Sequence, residues 1–218
     1  ISTPVNGIAG ANDAVVGNDA EIQAVVAVEI TGTAGNDTLT MGPQADTVFG
    51  GAGVDIIDGG GLGDILDGGD GNDVYHLDAL TESKAAATTQ TTLAGIDVIT
   101  IGSGDTIDLA GISSINFVVD TNNDDVVQVA VGASGAESDW NDVAVAIESA
   151  IGGGANEVSI VQVTDSSSDL SFNGDFDGFY LVINDGTAPI ANTDTVVKLI
   201  GVTAATEISV TSEIVSFG

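Results

Sequence analysis

Five aspartates stand nine residues apart: Asp37, Asp46, Asp55, Asp64 and Asp73. Carboxylates in such an array can pair for acid–base hydrolysis, cap backbone amides in turns, or hold a hard cation. Their neighbours discriminate. Gly32–His76 reads without a gap as GTAGNDTLT, MGPQADTVF, GGAGVDIID, GGGLGDILD and GGDGNDVYH. Aspartate is sixth in every phrase, and the eighth residue is large and apolar: Leu39, Val48, Ile57, Leu66 and Tyr75. A turn that caps its own backbone explains one bend, not a carboxylate held at constant spacing through five phrases. Calcium takes about six to eight oxygens at roughly 2.3–2.6 Å, from carboxylates and carbonyls. Glycine-rich turns expose their carbonyls, so the array suits that ion.

The elements that position the carboxylates follow from the same spacing. Each phrase divides into a six-residue turn and a three-residue strand. Glycine supplies the turn with φ > 0 at no steric cost. The strand alternates its side chains and sends the eighth one inward. Stacked parallel strands then bury that column between two thin sheets, and turns alternate between two edges. Turns 32–37, 50–55 and 68–73 share the first edge; turns 41–46 and 59–64 share the second. The first edge keeps glycine at the fourth position (Gly35, Gly53, Gly71); the second has Gln44 and Leu62 there, and Pro43 beside them. A cation is expected between consecutive turns of one edge, which makes two good sites on the first and one poorer site on the second. Asp19 lies two periods before Asp37, behind Gly17 and Asn18, and is a candidate extension of the first edge, although Glu21 takes the apolar position.

In repeat length, turn composition and aspartate column, residues 32–76 resemble the RTX calcium-binding nonapeptide repeats. The resemblance implies an all-β chain: a parallel β-roll followed by a β-rich C-terminal region with one short helix. It implies Ca2+ held by the five aspartates and by turn glycines, with Gly32, Gly35, Gly50, Gly53, Gly59, Gly68 and Gly71 as candidates. The segment Ile96–Ile112 is similar to the piece that closes such rolls, where an aspartate caps the last calcium; Asp97 is the matching residue.

Composition bounds the partners. The chain has 218 residues, with 33 acidic and 2 basic side chains and a formal charge of −31. Nucleic acid and anionic membranes need clustered Lys and Arg, so both are poor partners. Such charge often accompanies disorder, but 43% of the residues are apolar. The consistent expectation is a chain that is unstable alone and folds when cations bind. Cysteine is absent, which excludes disulfides and thiolate metal sites. No uninterrupted apolar run reaches 18 residues. The chain opens on Ile1 without a basic, then apolar, leader, and is expected to be a fragment or processed end of a longer protein.

Beyond the repeats the organisation is looser. Residues 1–31 read as a lead-in with degenerate repeats and a strand near 24–30, and residues 77–95 as a loop. From 96 to 218 a β-rich capping and secretion region is expected, with strands at 126–131, 158–163, 179–183, 195–200 and 207–210. A helix is expected over 138–151, with Ser138 as cap, Gly152–Gly154 as stop, and Trp140, Val143, Ala144, Ile147 and Ile151 on one face. Asn173–Gly178 has the oxygen spacing of an EF-hand loop but ends on Asn184 rather than Glu, which favours a hairpin turn. Asp120, Asn122 and Asp124 form a further acidic loop. The acidic-then-apolar terminus, Glu213–Phe217, resembles an uncleaved type I secretion signal.

Enzyme readings lack parts. His76 is the only histidine and Lys84 and Lys198 the only cations, and HExxH, GxSxG and P-loop motifs are missing. The chain is therefore expected not to be an enzyme. The leading expectation is a calcium-binding structural domain of an S-layer-like or adhesin-like protein, secreted or held at the surface of a Gram-negative bacterium. Its partners would be calcium, type I secretion machinery, and other copies of itself or surface polysaccharide. The alternative is the non-catalytic repeat module of a secreted protease, lipase or alginate epimerase.

Overall fold

The computed structural model describes residues 27–79, 83, 95–112, 115–117, 126–131, 140–151, 157–165, 177–186, 194–211 and 213–218. Short strands form at the end of each phrase. β1 (Glu29–Thr31), β3 (Thr47–Ala52) and β5 (Ile65–Asp70) pair in parallel in one sheet. β2 (Thr38–Thr40), β4 (Ile56–Asp58) and β6 (Val74–His76) pair in parallel in the other. The register sets Val48 against Leu66 and Ile57 against Tyr75, one coil apart. All five eighth-position side chains point between the sheets and are buried. Full burial of such a side chain contributes about 1.5–3 kcal/mol, so each coil is held by very little core.

The roll is interrupted after His76 and then resumes. β7 (Asp97–Thr100) pairs in parallel with β5, and β8 (Thr106–Asp108) pairs in parallel with β6. Neighbouring rungs are 18 residues apart within the repeats but 33 and 32 apart across this junction. A single coil thus carries the inserted residues. Tyr75 spans the junction: its hydroxyl accepts the Gly68 N–H at 2.7 Å and donates to the Thr100 carbonyl at 2.7 Å. Tyr75→Phe leaves the buried Gly68 amide without its acceptor, and an unpaired buried polar group costs about 1–3 kcal/mol. The expected result is a lower melting temperature in saturating calcium, and an unchanged one would show that the hydroxyl carries no stability.

Both sheets continue into the C-terminal half. β13 (Thr195–Ile200) pairs in parallel with β7, followed outward by β12 (Gly178–Asn184), β11 (Glu157–Asp165) and β10 (Val126–Val131), with β9 (Asn116–Phe117) on β11. β15 (Ile214–Phe217) pairs antiparallel with β8 and with β14 (Ile208–Thr211). The expected helix is α1 (Trp140–Ile151), which links the parallel strands β10 and β11 as a crossover. It covers the outer face of the first sheet, where Val143, Ala144, Ile147 and Ile151 pack with Tyr180, Val182 and Val196. The strand expected at 207–210 starts one residue later. Glu207 accepts the Thr203 and Ala204 amides at 2.9 and 3.1 Å, which closes a single 3-10 turn over Ala205–Glu207 first. Asp19, Lys84, Asp120, Asn122, Asp124, Ser138, Gly152–Gly154, the side chain of Trp140 and most of Asn173–Gly178 lie outside the described residues.

Candidate metal centre

The aspartate column is a ladder. Except at Asp37, Oδ1 of each carboxylate accepts a backbone N–H from one coil earlier. On the first edge Asp37 donates to Asp55 at 2.8 Å, and Asp55 to Asp73 at 2.9 Å. On the second edge Val28 donates to Asp46 at 2.8 Å, and Asp46 to Asp64 at 2.7 Å. The five side chains are 0–2% exposed. These are charge-assisted bonds in a dry setting, the stronger kind. The column therefore has a structural use besides any cation. Four of the five carboxylates cap backbone one coil away, which is why the spacing tolerates no slip.

The second oxygens are different. Oδ2 of Asp55, Asp64 and Asp73 and Oδ1 of Asp37 are buried without a hydrogen-bond partner. A buried carboxylate oxygen is not left bare cheaply. The three Oδ2 atoms border the first glycine of their own turn. A side chain on Gly59 would begin 2.6 Å from Asp64 Oδ2. At Gly50 the same point is pressed by Asp55 Oδ2 and by the Gly68 carbonyl of the next coil, 2.6 Å away. Only a residue without Cβ leaves this oxygen-lined space open. Among the described residues no three His, Cys, Asp or Glu side chains converge on one point. A cation between turns would take carboxylate plus backbone carbonyl oxygen, the donor set of a hard divalent ion. The residues present fit calcium.

The two edges differ as their sequences do. On the second edge Leu62 sits at φ 71°, where a side chain is strained. Asp46 accepts the Val28 amide through Oδ1 at 2.8 Å. On the first edge Asp55 and Asp73 each keep one oxygen free. Asp37 is braced by its own turn, its Oδ2 accepting the Thr33 amide at 2.6 Å and hydroxyl at 2.9 Å.

Electrostatics oppose the array when no cation is bound. Burial pushes the carboxyl groups of Asp46, Asp55, Asp73 and Asp105 above the usual range. Burial pushes Asp64 furthest, to about 8, with the charges of Asp97, Asp46 and Asp58 adding to it.

Asp97 accepts the Asp64 amide through Oδ1 at 2.9 Å, as the next rung of the second edge. Its own N–H donates to Ser83 Oγ at 2.5 Å, so a hydroxyl from the insertion takes the place of a further carboxylate and ends that ladder. Asp105, which the repeat reading passes over, is the next rung of the first edge: Asp73 N–H donates to its Oδ1 at 2.9 Å. A signal for it exists. Asp105-Thr-Ile-Asp108 copies Asp55-Ile-Ile-Asp58 and Asp64-Ile-Leu-Asp67, behind a turn one residue short. Ser83 has no comparable signal.

Residues 31–66 and 63–79 match the family of the RTX calcium-binding nonapeptide repeat, four copies. No curated protein matches the chain. Among solved structures it is similar to the AlgE6R3 subunit of the Azotobacter vinelandii mannuronan C5-epimerase, at 22% identity and a TM-score of 0.44, over 90% of this chain and 78% of that one. The segment 31–79 is thus an RTX repeat array, and repeats of that family bind Ca2+.

Proposed function

We propose, from the premise that residues 32–76 are RTX calcium-binding repeats, that this chain is a calcium-folded structural domain of a secreted cell-surface protein, S-layer-like or adhesin-like. The observation that carries the calcium part is the row of buried carboxylate oxygens without partners beside turn glycines. The proposed ligands are Asp37, Asp55 and Asp73 with the carbonyls of Gly32, Gly35, Gly50, Gly53, Gly68 and Gly71 on the first edge. Asp46, Asp64, Asp97 and Gly59 serve the second, and Asp19 is a candidate extension. The proposed units are the lead-in 1–31, the roll 32–76, the loop 77–95 and the cap 96–218. Type I export of a calcium-free, unfolded chain fits this design. Ile208, Val215 and Phe217 are buried in the folded state, so an exporter reading that segment must do so before folding.

The surface role rests on composition: a charge of −31 with few aromatic and basic residues lets divalent cations screen neighbouring copies. The test is electron microscopy and light scattering of the chain with calcium and with EGTA. Calcium-dependent arrays or oligomers are expected. A calcium-loaded chain that stays monomeric would overturn self-assembly and favour an accessory module of a secreted enzyme.

A further inference from the structure

We infer that the first edge carries another cation site beyond the repeats, at the junction of turn 68–73 with turn 101–105, and that this site clamps strand β15. The inference rests on the calcium reading above and extends it to residues outside the matched repeats. Three observations converge. Asp105 is 1% exposed and receives the Asp73 N–H, the bond that links every other pair of turns on this edge. Asp73 is 0% exposed, and its Oδ2 has no partner. That oxygen presses on the Cα side of Gly68, as Asp55 Oδ2 presses on Gly50. At Gly50 the point is shared with the carbonyl of the following coil. The coil following Gly68 is the one that carries turn 101–105, because Asp67 pairs with Thr100. The next coil on this edge is therefore the resumed one, not another repeat.

The short turn is built to close on its neighbour. Gly104 has φ 96°, and a Cβ there would meet the Asn72 side chain at 2.6 Å. Any other residue would be strained there and would displace the Asn72 side chain. Asp105 Oδ2 accepts the Gly102 amide at 2.7 Å, which folds the turn around its own carboxylate. The ligand class is a hard divalent cation held by Asp73, Asp105 and backbone carbonyls. Its consequence lies in the next contacts. Gly104 N–H donates to the Phe217 carbonyl at 2.6 Å, and Phe217 N–H donates to the Asp105 carbonyl at 3.0 Å. A cation that orders turn 101–105 therefore orders β15, the strand that joins β14 to the second sheet. Calcium binding and docking of β15 become one event.

The experiment uses the whole chain. Calorimetric calcium titration counts ions in the parent and in Asp105→Asn, which keeps a rung acceptor and drops the charge. Hydrogen exchange follows the Phe217 and Gly104 amides in calcium and in EGTA, with the Asp37 amide as internal reference. The expected results are one ion fewer, or one site weakened at least tenfold, and at least tenfold faster exchange at Phe217 with Asp37 unchanged. An unaltered ion count with unaltered Phe217 protection overturns the junction site and leaves the repeat sites standing. A parent chain that binds no calcium overturns the calcium reading as a whole. Should Asp105→Asn not fold, the parent decides: Phe217 protection that does not rise with calcium also overturns the clamp.

Discussion

Chelating calcium at neutral pH is expected to unfold the roll, and acidification in the chelator is expected to restore part of it. The first half follows from a core one side chain deep per phrase and from buried carboxylates that repel one another. A ligand that binds only the folded state stabilises it by about 2.7 kcal/mol per site at a hundredfold excess over Kd. The two first-edge sites of the repeats thus contribute on the order of 5 kcal/mol, comparable to the whole stability of many domains. The second half follows from the raised carboxyl groups. A group whose folded pKa lies above its unfolded value binds protons more tightly when folded. Its contribution is full below the unfolded value and is lost as pH rises through the folded one. For Asp64 that window runs from 3.8 to about 8. In EGTA the melting temperature should therefore fall between pH 5 and pH 8. In saturating calcium the trend should flatten, since the ion replaces the proton. Circular dichroism melts across pH with and without calcium measure both. A chelated chain that melts unchanged, or grows more stable with rising pH, would contradict this account.

Asp55→Ala is expected to weaken calcium binding at least tenfold, and Asp46→Ala distinctly less. Asp55 sits in the middle turn of the first edge. Its loss leaves the buried Asp37 amide unpaired, a cost of about 1–3 kcal/mol. It also removes one of the free carboxylate oxygens. Asp46 lies on the edge that has Gln44 and Leu62 where the first keeps glycine. Its turn is also the strained neighbour of Leu62. Titration calorimetry of the two variants against the parent ranks them. Equal losses, or a larger loss at Asp46, would show that the edges are equivalent or that the register is reversed.

The roll between residues 32 and 76 was open to reading from residue types alone, because its physics is local. A period of nine with a two-residue alternation at its end leaves one inward column, and Leu39 to Tyr75 fill it. Gly53 at φ 122° and the strained Leu62 likewise follow from the turn positions they occupy. The helix over 140–151 was legible for the same reason, as an apolar face at helical spacing. What spacing does not encode is what happens across an insertion of arbitrary length. Whether the coil stops at His76 or resumes at Asp97 depends on which sheet edge later strands find. The pairing of β7 with β5 and of β13 with β7 is long-range and carries no periodicity. Asp97 was legible from its segment and Asp105 from its repeat-like phrase, but their places as rungs, and the Ser83 hydroxyl that ends one ladder, became visible only in three dimensions. The same holds for the division of labour within each carboxylate. A sequence shows a charge at fixed spacing; which oxygen is spent on a neighbour's amide and which stays bare is settled by how closely successive coils stack.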